Sequence, residues 1–248
     1  MGQAGQTRGS SPNAPTRGKR MRVGIHQLHY LPWLRYFDKI RQSDVFVVLD
    51  DIQFNKNGWQ NRNRVKSSAG ATLLTVPVSM RVRQRLDEVC IHNDTPWRRK
   101  HWVTIEQSYA RAPHFAEYAP FLRDTYSREW ERLNDINRHM LGFFLDALGI
   151  ETPVVYSSQL GVEGTATERL VNLIKAVGGD TYLSGAYALE TYLDARRLEQ
   201  EGIALELQDW RAPVYPQLHG DFVADLSILD LLMNCGADSM GVLCGQLT

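Results

Sequence analysis

The chain has 248 residues, 43% hydrophobic and 23% charged, a balance that suits a globular protein able to bury a substantial core. Lys plus Arg and Asp plus Glu number 28 each, so no global field draws the chain to nucleic acid or to an anionic membrane. The cysteines, Cys90, Cys235 and Cys244, include no C-x-x-C, which excludes a disulfide framework or structural zinc site and fits a reducing cytoplasm; no run of ~18 apolar residues offers a membrane span.

In chain order, residues 1–20 are rich in Gly, Ser, Pro and Arg and read as a disordered leader, with Met21 opening the folded part. "MRVGIH" is a strand, "WLRYFDKIRQSD" a helix and "VFVVLD" a buried β-branched strand, which makes a parallel, right-handed βαβ unit. "DDIQFNKNGWQNRNRVKSSAG" is polar and turn-rich, too long for an idle connection. "NRNRVK" and "ATLLTVPVSM" pair as a hairpin, and "LDEVCIHN" is a further short strand. From Trp97 the spacing turns helical, and three helices up to about residue 148 interrupt the alternation as an insertion or subdomain, the last stopping at Gly149. "TPVVYSS", "TYLSG" and "IALELQDW" are strands separated by the helices "TATERLVNLIKAVGGD" and "ALETYLDARRLEQEG", and "LSILDLLMNCG" is a final helix. The expectation is one α/β domain over 21–248, Rossmann-like, with a mainly parallel sheet flanked by helices.

Ligands of open parallel sheets bind outside the carboxyl ends of the strands. His26, Gln27, His29 and Tyr30 stand at one such end and Asp50, Asp51 and Gln53 at the next. So many hydrogen-bonding groups are costly to bury without partners, which favours a rim that binds phosphate or polarises a carbonyl. His26 and His29 with an aspartate would alternatively make a zinc site, although no further Cys or His lies near, and magnesium on Asp50 or Asp51 beside a substrate phosphate asks for fewer ligands. Trp59 offers a flat face, Asn61 an amide, and Arg62 and Arg64 cations for an anionic substrate. Strand alternation puts Trp59, Asn61, Asn63 and Val65 on one face and Gln60, Arg62, Arg64 and Lys66 on the other. Ser184 and Gly185 end a strand before a helix, and Tyr215, Gln217, His219 and Asp221 lie in a polar loop. His219 reads as an acid or base, or as packing. Arg62, Arg64, Lys66, Arg81, Arg83, Arg85, Arg98, Arg99, Lys100 and His101 fall within 40 positions, a basic block that faces either solvent or a phosphate or polyanion. No nucleophile elbow, P-loop or dinucleotide fingerprint is present; Cys90 beside His92 is the remaining candidate nucleophile pair.

"HQLHYLPWLRYFDKIRQSDVFVVLDDIQFNKNGWQNRNRVK", with the later "YLSG", "YLD", "YPQ" and "LSILDLLMNCG", resembles the WbqC-like family of bacterial proteins over Met21 to Gly236. The resemblance implies a role in O-antigen, other sugar or natural-product biosynthesis. The family pattern favours another polar residue at position 29, which puts the weight on His26 and Gln27. The H-x-x-H spacing after the first strand is also similar to that of nucleotidylyltransferases and pantothenate-synthetase-like ligases, a likeness that implies ATP and Mg2+. The expected activity is transfer of an acyl, aminoacyl or nucleotidyl group, with His26, Gln27, His29, Asp50 and Asp51 catalytic. Tyr30, Gln53, Trp59, Asn61, Arg62, Arg64, Ser184, Gly185, Tyr215 and Gln217 would bind an anionic or sugar-linked small molecule. The alternatives are a non-catalytic sugar- or nucleotide-binding partner of a biosynthetic complex, and binding of a tRNA-linked substrate through the basic block.

Overall fold

The computed structural model describes residues 20–187 and 193–247. Residues 1–19 of the expected leader, and Tyr192 of the helix expected after Gly185, lie outside the described residues. The elements run β1 (Arg22–Gln27), α1 (Leu34–Arg41), β2 (Val45–Leu49), β3 (Arg62–Ser67), β4 (Gly70–Thr75), β5 (Val78–Ser79), β6 (Cys90–Ile91), α2 (Trp97–Tyr109), α3 (Phe115–Ser127) and α4 (Leu133–Leu148). They continue with β7 (Val154–Tyr156), α5 (Ser157–Leu160), α6 (Ala166–Ala176), β8 (Thr181–Ser184), α7 (Ala195–Gln200), β9 (Ala204–Leu207), α8 (Ile228–Cys235) and α9 (Ser239–Leu243).

Five strands form one parallel sheet in the order β7–β2–β1–β8–β9, flanked by helices. The chain steps outward from β1 through β2 to β7, then returns to build β8 and β9 on the other side. The direction of winding therefore reverses between β1 and β8, the place where such sheets open a crevice. Period-2 alternation divides the strands between two cores. Val23, Ile25 and Val47 pack with Leu170, Leu173, Ile174 and Leu198 under α6 and α7. Phe46 and Val48 face α1 and join a larger core that extends through Phe37 and Phe144 to the hairpin, to α2, α3 and α4, and to α8. Each fully buried Leu or Phe in these cores contributes roughly 1.5–3 kcal/mol.

Gly24 sits on the α1 side of β1, where a Cβ would run into the Phe46 ring and the Ser43 hydroxyl, so the close approach demands glycine. The β3–β4 hairpin pairs Arg62–Ser67 with Gly70–Thr75, as expected. α4 ends at Gly149 in the left-handed conformation, φ 63°. Among the described residues no helix is long and apolar enough to cross a membrane.

Candidate functional site

The β1–β2 ladder runs on to Gln27–Leu49, but the β1–β8 ladder stops at Gly24–Leu183. Beyond that pair β1 and β8 part company, and His26 and Gly185 stand at the resulting opening. His26 is half-buried, and its ring lies edge-on to buried His29 (centroids 4.7 Å) and to Tyr36 (5.0 Å). Trp33 closes the group, 5.0 Å from the His29 ring. The turn between strand and helix is tight enough to put Leu31 at positive φ. It brings His29, Trp33 and Tyr36, from the loop and the first turn of α1, back over the strand end.

Two cations complete the crevice. Arg35 and Lys39 are one helical turn apart on α1 and so share a face. Arg35 lies 5.1 Å over the Trp33 ring. The Lys39 ammonium would stand 3.8 Å from a Cβ placed on Gly185, so it reaches across from α1 toward the end of β8. Lys39 is only 6% exposed, and no carboxylate or carbonyl among the described residues lies within hydrogen-bond reach of its amine. Burial, with Arg35 beside it, pulls its pKa down to about 8. Burial and the neighbouring His29, Lys39 and Arg35 hold His26 well below the usual imidazole range, against a small opposing contribution from the Gln27 carbonyl. Burial, then Arg35 and Lys39, takes His29 down to about 3. Near pH 7 both imidazoles are neutral bases beside a cationic pair. His29 Nδ1, Trp33 Nε1 and the Tyr36 hydroxyl are buried without a hydrogen-bond partner.

Trp59 extends this wall. Its ring meets Trp33 edge-on at 5.3 Å, with Arg64 over it at 5.5 Å and Arg62 at 5.9 Å. Gln27 touches the same segment through Gln60, whose amide donates to Gln27 Oε1 at 3.3 Å. Ser184, at the other lip, is buried and donates to the Gly185 carbonyl at 3.2 Å.

The aspartates at the end of β2 belong to a different corner. Asp50 is fully buried; its carboxylate accepts from Arg138 and from Ser158 Oγ (2.8 Å) and N (2.9 Å), while Ser157 Oγ, 3.2 Å away, has its one proton nearer to Asp51. Asp51 accepts from Ser157 Oγ at 2.5 Å and Arg169 Nη2 at 2.6 Å. Every oxygen is taken by α4, α5 or α6, so the pair clamps β2 to those helices. The expected convergence with His26 on one substrate is not what this geometry provides. A magnesium ion on either carboxylate would have to displace an arginine or a serine. Among the described residues no three His, Cys, Asp or Glu side chains group as a metal ion needs.

Other residues expected to bind substrate hold the frame. The Tyr30 hydroxyl is buried against Tyr126 and His101 Nδ1 (2.8 Å), and so ties the loop after β1 to α2 and α3. Asn61 donates to the Val76 carbonyl at 2.8 Å, and Asn63 donates to the Leu31 carbonyl at 2.6 Å. Tyr215 donates to Asp230 at 2.9 Å, while Gln217 clasps Val223 through both ends of its amide. Asp230 also accepts from Tyr109 at 2.8 Å, and burial pushes its carboxyl pKa up. Lys66, read on the hairpin face of Gln60, Arg62 and Arg64, is buried and donates to the Asp221 carbonyl at 2.5 Å. His219 bonds to the Ser108 carbonyl at 2.7 Å, and Gln53 is exposed opposite Arg85. The Cys90 thiol points to the Glu88 carbonyl and His92 to Asp94, so the two do not meet.

Trp33, Arg35, Tyr36 and Lys39 were missed from the sequence. The available signal was the i, i+4 pair of cations on the helix that follows the two histidines.

Comparison with known proteins places the chain in context. The model of the WbqC-like protein family matches residues 27–242. An uncharacterized protein of Mycobacterium tuberculosis, Rv1507c, is 38% identical over 222 residues, which are 88% of this chain and 95% of that protein. No solved structure matches the chain.

Proposed function

The chain belongs to the WbqC-like protein family, and from that premise we propose that it is a biosynthetic enzyme that transfers an acyl, aminoacyl or nucleotidyl group at the crevice between β1 and β8. The observation that carries the reading is Lys39, a largely buried side chain whose ammonium reaches the opening without an anionic partner, set beside neutral His26 at the point where the sheet reverses direction. A lone buried cation is costly unless an anion arrives to neutralise it, so the expected substrate carries a phosphate or carboxylate. Lys39 and Arg35 would hold the oxygens of that group and stabilise charge as it develops. His26 would take the proton from the attacking amine or hydroxyl as the new bond to carbon or phosphorus forms and the old carbon–oxygen or phosphorus–oxygen bond breaks. Gln27 and His29 would orient the acceptor. Asp50 and Asp51 take the positioning role, through Arg138 and Arg169, rather than that of substrate ligands. The specific donor, ATP among the candidates, and the setting in sugar, O-antigen or specialised-metabolite assembly belong to this proposal.

Isothermal titration with inorganic pyrophosphate and with ATP tests it. Binding that disappears in Lys39→Met supports the crevice; no heat with either removes the anionic part of the reading. The second reading, a non-catalytic sugar- or nucleotide-binding partner, draws on the indole wall of Trp33 and Trp59, which binds without turning anything over. His26→Ala separates the two, because it should abolish turnover by an enzyme and leave a binding module unaffected.

A further inference from the structure

Four cations line one rim of a chain whose formal charges sum to zero. Arg35, Lys39, Arg62 and Arg64 have no ion pair with a carboxylate among the described residues, whereas Arg138 and Arg169, at the neighbouring corner, are both paired. Between the two cationic pairs stand the indoles. From Arg35 to Trp33 is 5.1 Å, from Trp33 to Trp59 5.3 Å, and from Trp59 to Arg64 5.5 Å. The indoles are perpendicular, so a planar ring seated on one meets the edge of the other. Trp33 is 8% exposed and its Nε1–H is buried with no acceptor, so Trp33 backs the wall and half-buried Trp59 presents its open face. Inorganic phosphate uses only the cations; this wall fits a ligand that also has an aromatic ring.

We infer that the wall of Trp33 and Trp59, with Arg62 and Arg64 beyond it, is the base subsite for a nucleoside diphosphate or triphosphate whose phosphates lie on Arg35 and Lys39. The inference rests on the proposed anion-binding role of the crevice and adds the ring-bearing half of the ligand. Stacking on an indole, reinforced by guanidinium, is sequence-tolerant, so the subsite selects nucleotides as a class before it selects a base.

The test is calorimetric titration of the full chain with ADP, GDP, UDP and CDP, with inorganic pyrophosphate and ribose 5-phosphate as base-free controls. At least one nucleotide should bind about tenfold or more tightly than either control, the increment one stacked base confers. Trp59→Leu should reduce that nucleotide to the pyrophosphate level and leave pyrophosphate itself unchanged. Arg64→Gln, at an exposed side chain that leaves folding untouched, should weaken the nucleotide by ~3-fold and is the fallback if Trp59→Leu misfolds. Lys39→Met should weaken nucleotide and pyrophosphate alike. Nucleotides that bind no better than pyrophosphate, or an advantage that survives both Trp59→Leu and Arg64→Gln, overturn the base subsite while the anion crevice stands. Nucleotide binding without pyrophosphate binding, indifferent to Lys39→Met, overturns the crevice and keeps the base subsite. No binding by any probe overturns both. A single-stranded oligonucleotide that outcompetes every mononucleotide reassigns the wall to nucleic acid and overturns the inference.

Discussion

Two corners at the carboxyl ends of the same sheet treat charge in opposite ways. At the ends of β2 and β7, Asp50 and Asp51 are enclosed by Arg138, Arg169, Ser157 and Ser158, and each carboxylate oxygen has a donor. At the ends of β1 and β8, Lys39 is nearly as deeply placed, yet its charge and three buried polar atoms around it are unanswered. The first corner answers its carboxylate oxygens within the chain and holds β2 to its helices, while Arg138 Nε, Arg169 Nε and Asn134 Oδ1 are buried there without a partner. In the second, the Lys39 charge has no carboxylate partner among the described residues, and under the proposed function an entering anion would offset it. Unpartnered buried atoms occur at both corners; what differs is that the aspartates are paired with arginines and Lys39 has no carboxylate partner among the described residues.

The sharpest way to break this contrast is to exchange the expected consequences. His26→Ala should lower turnover by ~10²–10⁴-fold, the usual weight of a positioned general base, with the fold unchanged by circular dichroism. Asp50→Ala should do the reverse. It leaves Arg138 beside an empty, buried position, so urea denaturation should show a loss of about 3–5 kcal/mol, while the folded fraction still binds pyrophosphate. A stable Asp50→Ala that no longer binds anions would place the aspartates on the substrate after all.

The contrast also explains what could be read from the chain. The alternation of apolar runs and amphipathic stretches identified the α/β class, the β1–α1–β2 unit, the hairpin and the three-helix stretch, because those patterns reflect local burial. His26 was legible because a strand end followed by a helix is a recognisable place. Asp50 and Asp51 were set beside it because β2 is the next strand, and β2 does neighbour β1. Their partners, however, come from positions 88 and 118 residues further on, and nothing local announces them. The amides were misleading for a related reason: Asn61 and Asn63 serve carbonyls of irregular loops that sequence does not show. Lys39 went unnoticed since two cations one turn apart on a helix usually mean a solvated face. Arg35 is indeed exposed, and only the Lys39 end of that face is covered, which depends on where β8 inserts.

Lys39→Met should separate stability from binding. With the folded pKa near 8 and the unfolded value near 10.5, the unfolded chain binds more protons between those limits, so wild-type stability should rise from pH 8 to pH 10.5. At neutral pH the methionine variant should therefore be more stable than wild type by ~2–3 kcal/mol, with pyrophosphate binding lost. If it is less stable, Lys39 has a partner that neutralises it and the crevice is closed like its neighbour. His29 gives a companion signal at acid pH. Its pKa is also depressed, so its contribution is fully present above about pH 6.5 and is lost as pH falls toward about 3, with a slope of up to ~1.4 kcal/mol per unit. His101, lowered to about 4 by burial, adds to the same acid limb, so the measurement is the difference between wild type and His29→Gln.

The smallest effect belongs to the outer edge of the aspartate corner. Arg85 approaches Asp51 at 3.8 Å, but its guanidinium is half exposed and already bonded to Asp87 at 2.7 Å and 3.0 Å. An exposed pair of that kind contributes about 1 kcal/mol or less and is screened by salt. Arg85→Gln should accordingly shift the urea midpoint slightly, and the shift should shrink further in high salt. Arg169→Gln, which removes the 2.6 Å contact to the same carboxylate from a largely buried position, should cost several times more at any ionic strength. Equal costs for the two substitutions would mean that the number of arginines around Asp51, rather than the enclosure of its oxygens, holds the corner together, and closure would no longer distinguish it from the crevice.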